Sequence, residues 1–192
     1  MTDPQGGAEA LETTVGAHGH VFVSDPSEVS VTAPTSEDIS VLDETWIDLG
    51  YVGEGGVKFK DEASKTNILA WNARRPIRRI AGDASTTLGF ELLQWNSDSF
   101  LFAMGGGDLL SGAFTPNPEA DDFRSLVIAW ADGDNDYLLY VPKGVTSGSV
   151  ELALTQSNIT PLPVEFESMP DEGDDPWTLF TNADAFSDDV SA

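Results

Sequence analysis

The chain has 192 residues, 40% of them hydrophobic, and 33 Asp and Glu face only 9 Lys and Arg, for a formal net charge of −24. That length fits one domain with extensions, or at most two small domains, and the acidity repels nucleic acid, which argues against sequence-directed DNA binding. No cysteine is present, so disulfides are excluded, and no apolar run approaches the roughly 20 residues needed to span a bilayer.

The N-terminus, MTDPQGGAEALETT, lacks the basic and apolar regions of a signal peptide, so a soluble protein made in a cytoplasm is expected. Residues 1–19 are small, acidic and Gly-containing, and read as an arm that is flexible until it docks. HVFVSD (20–25) and EVSVT (28–32) alternate and predict two short strands about a turn at Asp25-Pro26. Ser40 to Thr45 suits a helical turn before Trp46. Gly53-Glu54-Gly55-Gly56 predicts a tight turn, and Val57-Lys58-Phe59-Lys60 alternates again. DEASKT (61–66) reads as a polar loop, after which Ile68 to Trp71 resumes a strand. Pro76 marks an edge, a bulge or a bend, and Ile77 to Ile80 continues beyond it. Ser85 to Trp95 is the clearest strand, with Leu88, Phe90 and Leu92 opposite Thr87, Gly89 and Glu91.

At Asn96 the period changes. Asn96 or Ser97 can cap a helix over about 97–104, with Asp98 in its first turn, Phe100, Leu101 and Met104 on one side, and Gly105-Gly106-Gly107 as its stop. FTPNPEADD (114–122) reads as a loop and Leu126 to Trp130 as a central, buried strand. DGDND (132–136) predicts a hairpin turn, with Tyr137 to Val141 pairing back. Val150 to Leu154 and Leu162 to Phe166 alternate, MPDEGDDP (169–176) is a solvated loop, and WTLF (177–180) is a last strand. An acidic tail follows, with Phe186 as its one hydrophobic anchor. The sum is a mainly β protein, a sandwich or barrel of about ten short strands with one short packed helix. The expected organisation is an acidic arm over 1–19, the β domain over 20–168 and an acidic arm over 169–192.

No motif proposes catalysis or a cofactor. Asp132, Asp134 and Asp136 have the alternate spacing of a calcium loop, but Tyr137 stands where that loop needs glycine and Lys143 where it needs glutamate, so a hairpin turn outweighs a metal site. His18 and His20 read as a surface pair entering a strand. The glycine run follows a helix instead of opening one, so it is no phosphate loop, and there is no Gly-x-Ser-x-Gly elbow. Seven of the nine basic residues lie between Lys58 and Arg79, and none occurs before Lys58 or after Lys143. Arg74, Arg75, Arg78 and Arg79 suit contacts with carboxylates of a neighbouring subunit, or else charge a protective edge strand. Trp46 and Trp71 are core or interface anchors. The acidity itself fits a halophile's surface, plain solubility or the wall of a pore.

The stretch from residue 18 to 107 resembles the major tail tube proteins of long-tailed bacteriophages, especially those of actinobacteria. The matching pieces, in order, are GHVFVSDP with Pro34-Thr35; Trp46-x-x-Leu49-Gly50-Tyr51-Val52-x-Glu54-x-Gly56-Val57; Ile68-x-x-Trp71 leading to Arg75 and Arg78; and Glu91-Leu92-x-x-Trp95-Asn96 before a short helix and glycine. The resemblance implies a structural, non-catalytic subunit of the virion tail, assembled in the host cytoplasm. It implies hexameric rings stacked around a tape measure protein, loops and arms locking ring to ring, and an acidic lumen through which DNA passes without specific binding. Its partners would be further copies of itself, the distal tail or baseplate proteins and the tail terminator. Two rivals remain open: a distal tail or tail-completion ring protein, and an acidic β-sandwich binding module.

Overall fold

The computed structural model describes residues 17–24, 31–68, 78–117, 122–152, 154 and 159–183; the side chains of 17–18, 63–68 and 78–84 are outside the description. Ten strands and one helix are found among these residues: β1 Ala17–Ser24, β2 Trp46–Asp48, β3 Lys58–Ile68, β4 Arg78–Leu92, α1 Ser97–Ala103, β5 Asp108–Leu110, β6 Ala113–Thr115, β7 Arg124–Asp132, β8 Asn135–Thr146, β9 Leu162–Ser168 and β10 Thr178–Thr181. Eight of them form one antiparallel sheet in the order β2-β1-β7-β8-β9-β4-β3, with β10 on β8, while β5 and β6 make a separate hairpin.

The sheet curls back on itself. Residues 46–48 pair with β1, and the Leu49 amide donates to the Val21 carbonyl at 2.9 Å. The next residues cross to β4: Val52 bridges Leu92, the Gly53 amide donates to the Glu91 carbonyl at 2.7 Å, and the Leu93 amide donates to the Tyr51 carbonyl at 2.8 Å. One stretch therefore seams β1 to β4 and closes the wall, which is how a sheet removes its edges. Inside, alternate residues of each strand meet in one core, including Val21, Leu49, Leu88, Leu92, Leu126, Val141, Leu162 and Phe166. The alternation of β4 and β9 is as the sequence predicts, and β7 lies between β1 and β8 as a central, buried strand.

The helix plugs this core. Asn96 and Ser99 form a reciprocal capping box, with Asn96 Oδ1 accepting from the Ser99 amide at 2.8 Å and Ser99 Oγ accepting from the Asn96 amide at 3.0 Å. At the other end the Gly106 amide donates to the Leu101 carbonyl and the Gly105 amide to the Phe102 carbonyl, at 2.9 and 3.1 Å, with Gly105 at φ 74°. This is a Schellman stop. The buried face is Ser99, Phe102 and Ala103, not the predicted Phe100, Leu101 and Met104. Phe102 packs on Phe166 at 5.9 Å, whereas Phe100 is only partly buried at the rim of the core, between Trp95 and Phe114, at 5.7 and 5.1 Å.

Other expectations change. DEASKT is not a loop, because 61–66 lies within β3 in unbroken pairing with β4 apart from one bulge at Ala63/Lys65. The strand predicted over 150–154 does not form in its described residues, nor do Val31 and Thr32 extend a strand. Residues 28–30, the Asp25-Pro26 turn, Leu69 to Ile77 and Phe186 lie outside the described residues. The sheet also takes in residues beyond 20–168, since β1 opens at Ala17 and β10 falls within 169–192.

Candidate assembly interface

The two faces of the wall differ. Outside β1, β7 and β8, the chain lays its own segment 31–46 over a second apolar cluster of Trp46, Val127 and Leu138, joined by Phe22, Val31, Leu42, Tyr140 and, from the neighbouring strand β10, Phe180. Trp46 is 7% exposed; its indole N–H donates to the Thr32 carbonyl at 3.2 Å and its ring meets Tyr140 edge-on at 6.1 Å. Burial pushes the Tyr140 phenol above its ordinary pKa of 10. Two Asx-type caps hold the covering segment: Asp38 accepts from the Ser40 amide at 2.8 Å, and Asp43 accepts from the Thr45 amide at 3.0 Å and from the Thr45 hydroxyl. Those hydrogen bonds lower both carboxyl pKa values, at full exposure.

The second feature is a ribbon. β9 pairs with β4 only from Thr87 to Leu92, yet β3 and β4 stay paired out to Ile68 and Arg78. Residues 78–86 at about 3.3 Å each make an extension of roughly 25–30 Å. Among the described residues neither edge of this ribbon has a further strand partner. Lys65, Arg78 and Arg79 lie on it, with Ile68 opposite Arg78 and Asn67 opposite Arg79. Arg74, Arg75 and Trp71 lie outside the described residues.

The third is an aromatic ridge by the helix. Trp95 is half exposed and donates its indole N–H to the Thr160 carbonyl at 2.8 Å, beside exposed Ile159. The β5–β6 hairpin presents Leu110, which is 73% exposed. This hairpin is absent from the sequence-based expectations, although its signal is local: Ser111-Gly112, both at positive φ (51° and 80°), is a two-residue turn between Leu110 and Ala113.

Asp132, Asp134 and Asp136 belong to the β7–β8 turn, in which Asp132 pairs with Asn135 and Gly133 has φ 63°. The Asp136 amide donates to Asn182 Oδ1 at 2.8 Å, which ties the turn to the end of β10. No group of three or more His, Cys, Asp or Glu placed to hold a metal ion occurs among the described residues.

The described residues thus form a curled sheet with a long two-stranded extension and exposed apolar side chains beside the helix. A family model described as phage tail tube protein matches residues 7–190. The chain belongs to this phage tail tube protein family. No curated protein gave a match. The family is one of structural tail proteins, not of enzymes, and places this tail tube protein in the virion tail. Subunits of a tail tube associate with one another and with other tail components. No helix among the described residues is long and apolar enough to cross a membrane.

Proposed function

We infer that this tail tube protein forms hexameric rings that stack into a hollow conduit for the genome of a long-tailed phage, around a tape measure protein and between a baseplate and a terminator. The observation that carries the reading is the β3–β4 ribbon. A two-stranded ribbon is marginal alone in water, and its unpaired backbone edges are templates for another chain. Its residues hold most of the basic charge of a chain of net charge −24, so the acidic surface of a neighbouring copy is its natural seat. Arg74, Arg75, Arg78 and Arg79 make that contact, as guanidinium forks do with carboxylates. The acidic terminal residues 1–16 and 184–192, with no Lys or Arg among them, are further seats for it in an adjoining ring, and Trp71 is an interface anchor.

The test is to purify the chain and view it by negative-stain electron microscopy at low and high salt, beside an Arg78→Glu/Arg79→Glu variant. The expected result is rings or hollow tubes from the parent, and subunits that stay folded but unassembled from the variant. A parent that remains monomeric at every salt and concentration, even with a baseplate initiator, refutes the tube reading. Single rings that never stack favour a distal tail or completion protein.

A further inference from the structure

We propose that the single subunit carries a binding pocket for a small hydrophobic cation, an aryl- or alkylammonium, between the seam and β10. The pocket arises where the sheet forks. One edge of β8 pairs with β10 over Tyr137 to Tyr140 and with β9 over Gly144 to Thr146, and β9 leads on through β4 to β3. Among the described residues no ladder joins β10 to β9 or β3. Instead Trp177, just before β10, meets Phe59 of β3 edge-on at 5.2 Å. Both rings line a cavity of about 570 Å³, within the roughly 300–1,000 Å³ usual for sites that take small organic molecules. Its floor is aliphatic, with Val21, Ile128 and Leu139 all buried. Trp130 adds a third ring, one face of which is stacked on Tyr137 at 5.2 Å. No residue of α1 takes part, so this space is separate from the plugged end of the core.

Strand alternation sets the charge of this pocket. Val57 and Phe59 face it, whereas Lys58 and Lys60 lie on the opposite face of β3. The one charged residue of its lining is Glu54, exposed in the turn that the Gly56 amide closes on the Gly53 carbonyl at 2.9 Å. No Lys, Arg or His lines it among the described residues, and the net charge of −24 adds to the same field. An anionic amphiphile such as a fatty acid finds no counter-charge here. Aromatic faces carry partial negative charge and attract organic cations. An ammonium group beside Glu54, with its apolar body against Phe59, Trp130 and Trp177, satisfies both halves of the lining. Occupancy also bears on the seam. Val52 and Gly53 of the seam line the pocket, as do Val21 of β1 and Phe59 of β3 on its two sides. A ligand that touches both sides holds that line shut.

The test titrates the purified subunit with phenylbutylammonium, phenylbutanol and phenylbutyrate, which share one apolar body and differ in charge. Amide and indole NMR shifts report where each binds. The expected result is saturable shifts at Gly53, Gly56 and the Trp130 and Trp177 indoles, with the ammonium bound about tenfold more tightly than the carboxylate and the alcohol between them. Exchange of the Gly53 amide should slow as the ammonium saturates. Glu54→Gln should abolish the preference for the ammonium and leave the affinity for the alcohol unchanged. Phe59→Ala, at an exposed position, should weaken all three probes. Shifts gathered at Trp95, Leu110 and Ile159 instead, or no saturation by any probe, overturn the pocket. Equal affinity for the carboxylate and the ammonium overturns the ligand class. Pocket signals that move on dilution, or on removal of residues 184–192, mean that a second copy or the chain's own end fills the space, and overturn the assignment equally.

Discussion

A single methyl group tests the packing at the corner of the wall. Gly144 is buried where β8 passes from its pairing with β7 to its pairing with β9, opposite Arg124 on one side and Ser168 on the other. A Cβ at this position would lie 2.5 Å from the Glu167 carbonyl oxygen and 2.5 Å from the Phe166 ring. The carbonyl is fixed in β9, and the Phe166 side chain is fully buried, so neither neighbour can yield cheaply. Overpacking a core by one methyl group costs about 1–3 kcal/mol, and two rigid neighbours put Gly144→Ala at the top of that range. For a chain of this size that corresponds to a fall in Tm of about 6–12 °C. Gly89→Ala adds the same methyl to the same sheet with nothing within 4 Å. Relief of unfolded-chain entropy should make it neutral or stabilising by up to about 1 kcal/mol. Thermal unfolding followed by circular dichroism on the unassembled subunits reads both. A Gly144→Ala midpoint within about 2 °C of the parent, or a Gly89→Ala midpoint as low as that of Gly144→Ala, would refute the reasoning.

Three other outcomes follow. Phe102→Ala empties the space between the helix and Phe166 and should cost about 3–5 kcal/mol in denaturant unfolding, while Phe100→Ala, only partly buried at the rim of the core, should cost clearly less. Arg124 is buried, with Nε and Nη2 on the Asp122 carboxylate at 2.9 and 2.7 Å and Nη1 donating to the Ser24 carbonyl at 2.9 Å. Arg124→Met strands both acceptors and should cost about 2–4 kcal/mol, reduced because Asp122 keeps some solvent; adding Asp122→Asn should recover part of it, as a double-mutant cycle would show. The caps at Asp38 and Asp43 lower both folded pKa values, so their stabilisation is fully present above the ordinary value of 3.8 and is lost as pH falls through the lowered ones. Carboxyl carbon shifts in an NMR titration should place both midpoints below 3.8, and a midpoint at or above it would contradict the caps.

What the sequence made legible follows from which residues have a buried side. Leu88, Phe90 and Leu92 alternate because β4 there walls the core, and the apolar run of β7 marks a strand covered on both faces. The DGDND turn and the Asn96 cap are local chemistry, readable without the fold. Residues 61–66 are opaque because DEASKT carries no alternation of apolar and polar residues, and its strand is set by pairing with the distant β4. Val150 to Leu154 has the alternation but no strand partner among the described residues, and pattern without a partner does not make a strand. The helix face departs from expectation because a helix of under two turns is rotated by what it plugs, here Phe166, and not by its own period. Of the candidate interface residues, the basic cluster is visible as composition. The placement of Lys65, Arg78 and Arg79 on a ribbon running past the wall depends on where β9 ends.

The seam at residues 46–53 gives the wall a mechanical character. The ladders that join the long strands run for several residues, but this stretch grips β4 through Val52 and two backbone hydrogen bonds, those of Gly53 and Leu93. Local opening free energy scales with such contacts, so the amides of Gly53 and Leu93 should exchange ahead of those in β7 and β8. The seam is thus a compliant line in the wall. Strain applied to the subunit can be taken up by gaping at that line, and released, while the long ladders and the plugged core stay intact.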